Sequence, residues 1–150
     1  MRMIRMALSL LLLATGALAS EPAMASDACV PVVSEGWIRK PPANLPVMAG
    51  YARIANPCQA PATIVSASSD AFADTSIHET RIEDGISRMR VTTALELAAG
   101  ADIGMAPGGL HLMLVNPAAP LQVGDKVVVE FTLRDGRKLQ GEFELRTTTP

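Results

Sequence analysis

The chain has 150 residues, with 13 Lys and Arg against 15 Asp and Glu, and a formal net charge of −2. A mildly acidic chain without a basic cluster makes nucleic acid and anionic membrane surfaces poor candidates as partners. With one Trp, one Tyr and three Phe, its core must be built mainly from Val, Ile, Leu and Ala.

The N-terminus has the pattern of an export signal. Two arginines precede an uncharged apolar stretch at 7–19, and small residues mark two candidate cleavage points, after Ala19 and after Ala25. The apolar stretch is too short to span a bilayer. We therefore expect a signal peptide over 1–25, no membrane span, and one periplasmic domain over 26–150.

Two cysteines, Cys29 and Cys58, remain in the exported part. In an oxidising compartment such a pair indicates a disulfide, which would stabilise the fold by roughly 3–4 kcal/mol in the chain-entropy model. The alternative is a pair of thiolate metal ligands. We favour the disulfide because neither cysteine lies near a histidine in sequence.

The rest of the chain consists of short apolar segments separated by proline and glycine, with no convincing helical period. Many short strands at such spacing indicate an all-β sandwich or barrel. The segment at 95–99 fits either a short helical turn or a strand. Strands are predicted at 32–39, 49–56, 63–68, 76–83, 86–92, 102–105, 110–116, 126–134 and 138–146.

The last two strands alternate apolar and polar residues clearly enough to set their register. A three-residue loop at 134–136 places Phe131 opposite Leu139 and Val127 opposite Phe143. A two-residue loop would pair an aromatic residue with a glutamine, so the longer loop is preferred.

The hairpin at 76–92 has an Asp84-Gly85 signal for a type I′ turn. A two-residue loop there places all five charged strand residues on one face and His78 and Met89 on the other. A three-residue loop would mix charges onto both faces. In the chosen register Met89 lies opposite Thr80 and diagonal to His78, close enough for an imidazole and a thioether to share one ligand.

A second pair lies within one strand. In the run Leu-His-Leu-Met-Leu at 110–114, the three leucines face one way and His111 and Met113 the other. Three leucines mark the core side, so the histidine and the methionine share the opposite face.

The chain has only two histidines, and each shares a face with a methionine. Imidazole and thioether without thiolate or carboxylate form a soft, neutral ligand set, which suits Cu(I) better than Zn(II), Ca(II) or Mg(II). Taken singly, a strand histidine is more often structural and a methionine more often core filler. Met48 and Met105 are interpreted in that way.

The chain resembles the periplasmic copper chaperone family of PCuAC type. That family's signature is His, ten residues, Met, twenty-one residues, then His-x-Met, and His78, Met89, His111 and Met113 fit every position and both spacings. The segments around Trp37 and Gly50-Tyr51 and the run Ala-Pro-Gly-Gly at 106–109 are also typical, and the resemblance covers about residues 34–146.

The resemblance implies a cupredoxin-like Greek-key β-sandwich that binds Cu(I) near one end, one ion per monomer. It also implies delivery of copper to periplasmic acceptors: the copper subunit of cytochrome c oxidase, or a thioredoxin-like copper chaperone. Cys29 and Cys58 are a modest departure, because the family motif does not require them.

Three alternatives stay open on sequence alone. An electron-transfer cupredoxin needs a cysteine thiolate beside two histidines, copper storage would use the same site without an acceptor, and a secreted sandwich could bind a protein or glycan without metal. An enzyme is not expected, because no nucleophile–base pair or paired carboxylates are evident.

Overall fold

The computed structural model describes residues 29–43 and 45–147, and within them every regular element is a β-strand. None of the described residues forms a helix long and apolar enough to cross a membrane. The predicted signal peptide lies outside these residues. The strands are β1 (Val32–Arg39), β2 (Val47–Ala55), β3 (Ala62–Ser68), β4 (Phe72–Glu83), β5 (Ile86–Val91), β6 (Leu95–Leu97), β7 (Asp102–Gly104), β8 (Leu110–Pro117), β9 (Lys126–Leu133) and β10 (Lys138–Arg146).

The strands are hydrogen-bonded in the order β5-β4-β8-β2-β1-β10-β9-β3-β6, and β7 pairs with the end of β2. Strand β1 joins the two halves of this order, because it runs antiparallel to β2 and parallel to β10. The register of β1 shifts between Ser34 and Trp37, which allows the strand to pair with both neighbours. Strands β5, β4, β8 and β2 form the half that carries the histidines.

The core lies between the two halves. Leu112 and Leu114 from β8 are fully buried together with Phe131 from β9 and Phe143 from β10. Two sheets that bury their inner faces against each other form a sandwich. The all-β prediction is confirmed.

The register of the last hairpin is also confirmed. Phe131 lies opposite Leu139 and Val127 opposite Phe143. Gly136 has a φ of 87°, the left-handed conformation that closes a three-residue loop with little strain.

Three strands begin earlier than the apolar pattern predicts. Strand β2 begins at Val47 instead of 49, β3 at Ala62 instead of 63, and β4 at Phe72 instead of 76. Phe72 is buried and pairs with Pro117 at the end of β8, so tertiary pairing extends the strand through a stretch without alternation. The ambiguous segment at 95–99 contains strand β6, which pairs with β3.

Cys29 and Cys58 form the expected disulfide, with 5.7 Å between their Cα atoms. The buried side chain of Asn56 supports the same region, because its amide nitrogen lies 3.0 Å from the Ala60 carbonyl oxygen and 3.3 Å from that of Leu97. The side-chain oxygen Oδ1 of Asn56 accepts a hydrogen bond from the backbone N–H of Cys58. The disulfide therefore links the start of the described chain to a turn that the Asn56 side chain holds by hydrogen bonds.

Candidate metal centre

The hairpin of β4 and β5 has the register that the sequence predicts. Asp84 and Gly85 both have positive φ, at 54° and 76°, as a type I′ turn requires. Thr80 lies opposite Met89 and His78 opposite Val91. Met89 is thus diagonal to His78, on the same face of the hairpin.

The charged residues of this hairpin occupy its other face. Arg81 pairs with Glu79 at 2.7 Å, and Glu83 accepts Arg90 at 2.8 Å and Arg88 at 3.4 Å. These exposed pairs contribute little to stability. Their effect is to leave the face with His78 and Met89 without charge from the hairpin itself.

Strand β8 brings the second histidine to the first. Leu112 and Leu114 are buried in the core, which directs the intervening Met113 and the preceding His111 to the opposite face. The pairing of β4 with β8 places His78 directly across from His111. The two imidazole rings lie stacked, with 6.0 Å between their centroids.

His111 is held by the backbone and meets a sulfur. Its Nδ1 lies 2.9 Å from the carbonyl oxygen of Gly109, and that oxygen also accepts the backbone N–H of Thr80 at 3.1 Å. Because a carbonyl only accepts, Nδ1 carries the proton, and in the neutral imidazole Nε2 then has the lone pair. The His111 Nε2 atom lies 3.2 Å from Met89 Sδ.

This separation is close to that of two ligands on one ion. A nitrogen at about 2.0 Å and a sulfur at about 2.3 Å from a tetrahedral metal lie about 3.5 Å apart. A small opening of the Met89 side chain would therefore admit an ion between Sδ and the His111 Nε2 lone pair. The hydrogen bond to Gly109 is the kind of outer contact that orients a metal-binding histidine.

His78 is oriented by a neighbour on its own strand. Its Nε2 lies 3.0 Å from the hydroxyl oxygen of Ser76. The pKa of His78 is lowered, mainly by burial and then by the nearby His111, while the carboxylate of Asp74 acts in the opposite direction. The lowered pKa favours the neutral imidazole, which is the form that binds a metal.

Met113 joins the group by its position on β8. It is half-buried, lies one strand step from His111, and is directly across from Ser76, whose hydroxyl contacts His78. Together with His111 it borders a cavity of about 230 Å³ that Arg39 and Met48 also line. The structure thus brings His78, His111 and Met89 into one cluster and places Met113 beside it on the same face.

The side chains of this cluster offer only a few kinds of metal-binding atom. Within 29–43 and 45–147, no group of three or more His, Cys, Asp or Glu side chains could hold a metal ion. Both cysteines of the chain are in the disulfide. What the cluster offers is two neutral imidazoles with thioethers, a set that favours a soft monovalent ion.

Two contacts that orient the histidines of this cluster were not predicted from the sequence. Ser76 could have been found, because it lies two residues before His78 and therefore on the same strand face. The carbonyl of Gly109 could not, because its contact with His111 depends on the turn at 106–110 rather than on a side chain.

An aromatic group lies farther along the same sheet. The rings of Trp37 and Tyr51 are 4.6 Å apart, and the Arg39 guanidinium lies within 5.8 Å of both centroids. Arg39 is paired with Ala49, which in turn is paired with Met113. The exposed Arg39 therefore lies over two buried aromatic rings, on the sheet face that also carries Met113.

Comparison with known proteins identifies the family. Residues 32–145 match the family described as "Putative lipoprotein LpqE-like". The chain is 31% identical over 105 residues to "Putative lipoprotein Lxx21020" of Leifsonia xyli subsp. xyli, and 29% identical over 73 residues to "Uncharacterized protein RP573" of Rickettsia prowazekii. These matches cover 69% and 48% of this chain, and 62% and 40% of the two relatives.

Solved structures show the same fold at low sequence identity. The copper-bound PCuAC domain from PmoF2 aligns with a TM-score of 0.63 and 18% identity, over 77% of this chain and 92% of that domain. The Cu(I) form of DR1885 from Deinococcus radiodurans aligns with a TM-score of 0.61 and 22% identity, over 84% of this chain and 83% of that protein. The predicted resemblance and the cupredoxin-like sandwich are confirmed: the chain belongs to the LpqE-like family and has the fold of the PCuAC domains.

Proposed function

We propose that the protein is a periplasmic carrier of Cu(I). One ion per monomer is bound by the imidazoles of His78 and His111 and the thioethers of Met89 and Met113. The protein releases this ion to other periplasmic proteins rather than catalysing a reaction.

The observation that carries the proposal is the contact of 3.2 Å between His111 Nε2 and Met89 Sδ. A core-packing methionine has no reason to direct its sulfur at the lone pair of a histidine. Here the tautomer of His111 is set by Gly109 so that the lone pair faces the sulfur. Copper bound to the PCuAC domain from PmoF2 and to DR1885 supports the same cargo for this fold.

The neutral ligand set also fits carriage better than electron transfer. A blue-copper site requires a cysteine thiolate, and both cysteines of this chain form the disulfide. The exposed position of Met89 on β5 leaves one side of this ligand set open, so that an ion can leave. We expect no intense blue absorption when Cu(II) is added.

Three features support the periplasmic location that we propose. The signal pattern at 1–25, the disulfide and the lipoprotein description of the matched family are all typical of exported proteins. The acceptors we propose are the copper subunit of cytochrome c oxidase or a thioredoxin-like copper chaperone. The face around Arg39 and Met113 is where such a partner would approach the ion.

The direct test is a Cu(I) titration of the purified protein against a chromophoric Cu(I) chelator. We expect one ion per monomer, and a loss of affinity of roughly tenfold or more in each of four single variants, His78→Ala, Met89→Leu, His111→Ala and Met113→Leu. Met105→Leu is the matched control, because Met105 is a buried core methionine and should leave the affinity unchanged. A wild-type protein that cannot compete with the chelator would overturn the proposal.

Delivery and storage use the same site and need a separate experiment. A strain that lacks the gene should lose cytochrome c oxidase activity under copper limitation, and the wild-type gene should restore it. Restoration by the His111→Ala variant would contradict a role for the bound ion. Unchanged oxidase activity with lower copper tolerance would favour storage.

A further inference from the structure

Met89 differs from the other three methionines that the structure describes. Its side chain is 51% exposed, whereas Met48 and Met105 are 7% and 5% exposed and Met113 is half-buried. Every residue of its strand β5 is exposed, and β5 is an edge of the sheet. Met89 is therefore the thioether most open to reagents in solution.

We propose that Met89 is a site of reversible oxidation to methionine sulfoxide by hydrogen peroxide, and that this modification weakens copper binding. The modification itself follows from exposure alone. Its effect on copper rests on the proposed function.

The reaction requires only the thioether and the peroxide. A lone pair of Met89 Sδ attacks one peroxide oxygen, a sulfur–oxygen bond forms, and the O–O bond breaks. The departing oxygen keeps its own hydrogen, takes the proton from the oxygen now bound to sulfur, and leaves as water. Sulfur loses two electrons, which reduce the peroxide, so Met89 and one H₂O₂ give one sulfoxide and one H₂O.

The environment of Met89 makes this change incompatible with the site. A sulfoxide has a polar oxygen that accepts hydrogen bonds, and His111 Nε2 is itself an acceptor because Gly109 holds the proton on Nδ1. The 3.2 Å between Nε2 and Sδ leaves no room for an oxygen between them. The oxidised side chain must turn out to solvent, which separates the sulfur from the imidazole and removes a soft donor.

Exposure also makes the modification reversible. The oxidised residue stays on an edge strand, where the core residues of the sandwich do not contact it, so the fold tolerates the added oxygen. A methionine sulfoxide reductase of the A or B type can then reach the sulfoxide and restore the thioether. The buried Met48 and Met105 lack this access from solvent in the folded protein.

The first experiment measures the order of oxidation in the copper-free protein. The purified protein is treated with limiting H₂O₂, quenched, and digested after glutamate. This digestion places Met89 in 84–96, Met48 in 36–79, and Met105 and Met113 together in 97–130, where fragmentation separates them. We expect the Met89 sulfoxide to form roughly tenfold faster than those of Met48 and Met105, with Met113 between.

The second experiment measures the consequence. Protein oxidised once at Met89 should bind Cu(I) roughly tenfold or more weakly in the chelator competition, and treatment with both reductase types should restore the affinity. The Met89→Leu variant should show a low affinity that the limiting peroxide dose, which oxidises Met89 in the wild type, does not lower further. Met105→Leu should keep the wild-type affinity and the wild-type loss with peroxide.

Failure of the inference and failure of the proposed function give different results. Equal oxidation of Met89 and the buried methionines, or unchanged Cu(I) affinity after oxidation of Met89, overturns the inference. Redox-inactive Ag(I), a soft monovalent ion, should slow Met89 oxidation by occupying its sulfur lone pair. If Met89 oxidises first but Ag(I) gives no protection and the protein never binds Cu(I), the proposed function fails while the order of oxidation stands.

Discussion

The number of histidines that bind copper can be counted from the pH dependence of affinity. An imidazole must be free of its proton before it binds, so in the proposed site Cu(I) would compete with one proton at His78 and one at His111. The thioethers of Met89 and Met113 have no proton to lose. The logarithm of the apparent association constant should therefore be nearly flat above neutral pH and approach a slope of two, about a 100-fold loss per pH unit, in acid.

The surroundings of His78 determine the pH below which its protonation weakens copper binding. Burial and then the neighbouring His111 lower its pKa, against the opposing effect of Asp74. A lowered pKa means that protons displace copper from His78 only below the ordinary imidazole value of about 6.5. By the same linkage, the folded apo-protein takes up this proton less readily than the unfolded chain, so folding stability falls as the pH drops from about 6.5 through the folded-state pKa.

The assay is the chelator competition repeated over a pH series, corrected for protonation of the chelator. The His78→Ala variant should show a limiting slope of one, and Met105→Leu should follow the wild type. Affinity that stays constant down to about pH 4 would refute histidine ligation. A slope of two in the His78→Ala variant would refute the role of His78 in particular.

Three further predictions separate the site from the fold. Met89→Leu should lower Cu(I) affinity roughly tenfold while changing the free energy of unfolding by less than about 0.5 kcal/mol, because the residue is exposed. Met105→Leu should lower the free energy of unfolding by up to about 1.5 kcal/mol with no loss of Cu(I) affinity. Both are checked by chelator titration beside urea unfolding, and the reverse pattern would contradict the assignment. Reduction of Cys29–Cys58 should destabilise the protein by about 3–4 kcal/mol in urea unfolding, without weakening copper binding. Phe143→Ala should lower the free energy of unfolding by about 3–5 kcal/mol, because the ring is fully buried. A decrease below about 1 kcal/mol in urea unfolding would contradict its place in the core.

Local chemistry made much of the fold predictable. The register of β4 and β5 followed from five charged residues that had to share one face, and the structure has that register. The three leucines of β8 fixed the side on which His111 lies. The disulfide was favoured because neither Cys29 nor Cys58 lies near a histidine in sequence.

The pairing of strands that are distant in sequence could not be predicted in the same way. The sequence places Met89 beside His78, whereas the contact in the structure is with His111. That contact crosses from β5 over β4 to β8, and it depends on the β4–β8 pairing, which no turn or alternation encodes. The parallel pairing of Gly36 with Phe143 in β1 and β10 is likewise a property of the assembled sandwich.

X-ray absorption spectroscopy of the Cu(I)-loaded protein identifies the atoms that bind the ion. We expect a first shell with two nitrogen and two sulfur scatterers, reduced to one sulfur in the Met89→Leu variant. A shell of nitrogen and oxygen alone, or a sulfur contribution that the Met89→Leu substitution leaves unchanged, would contradict it.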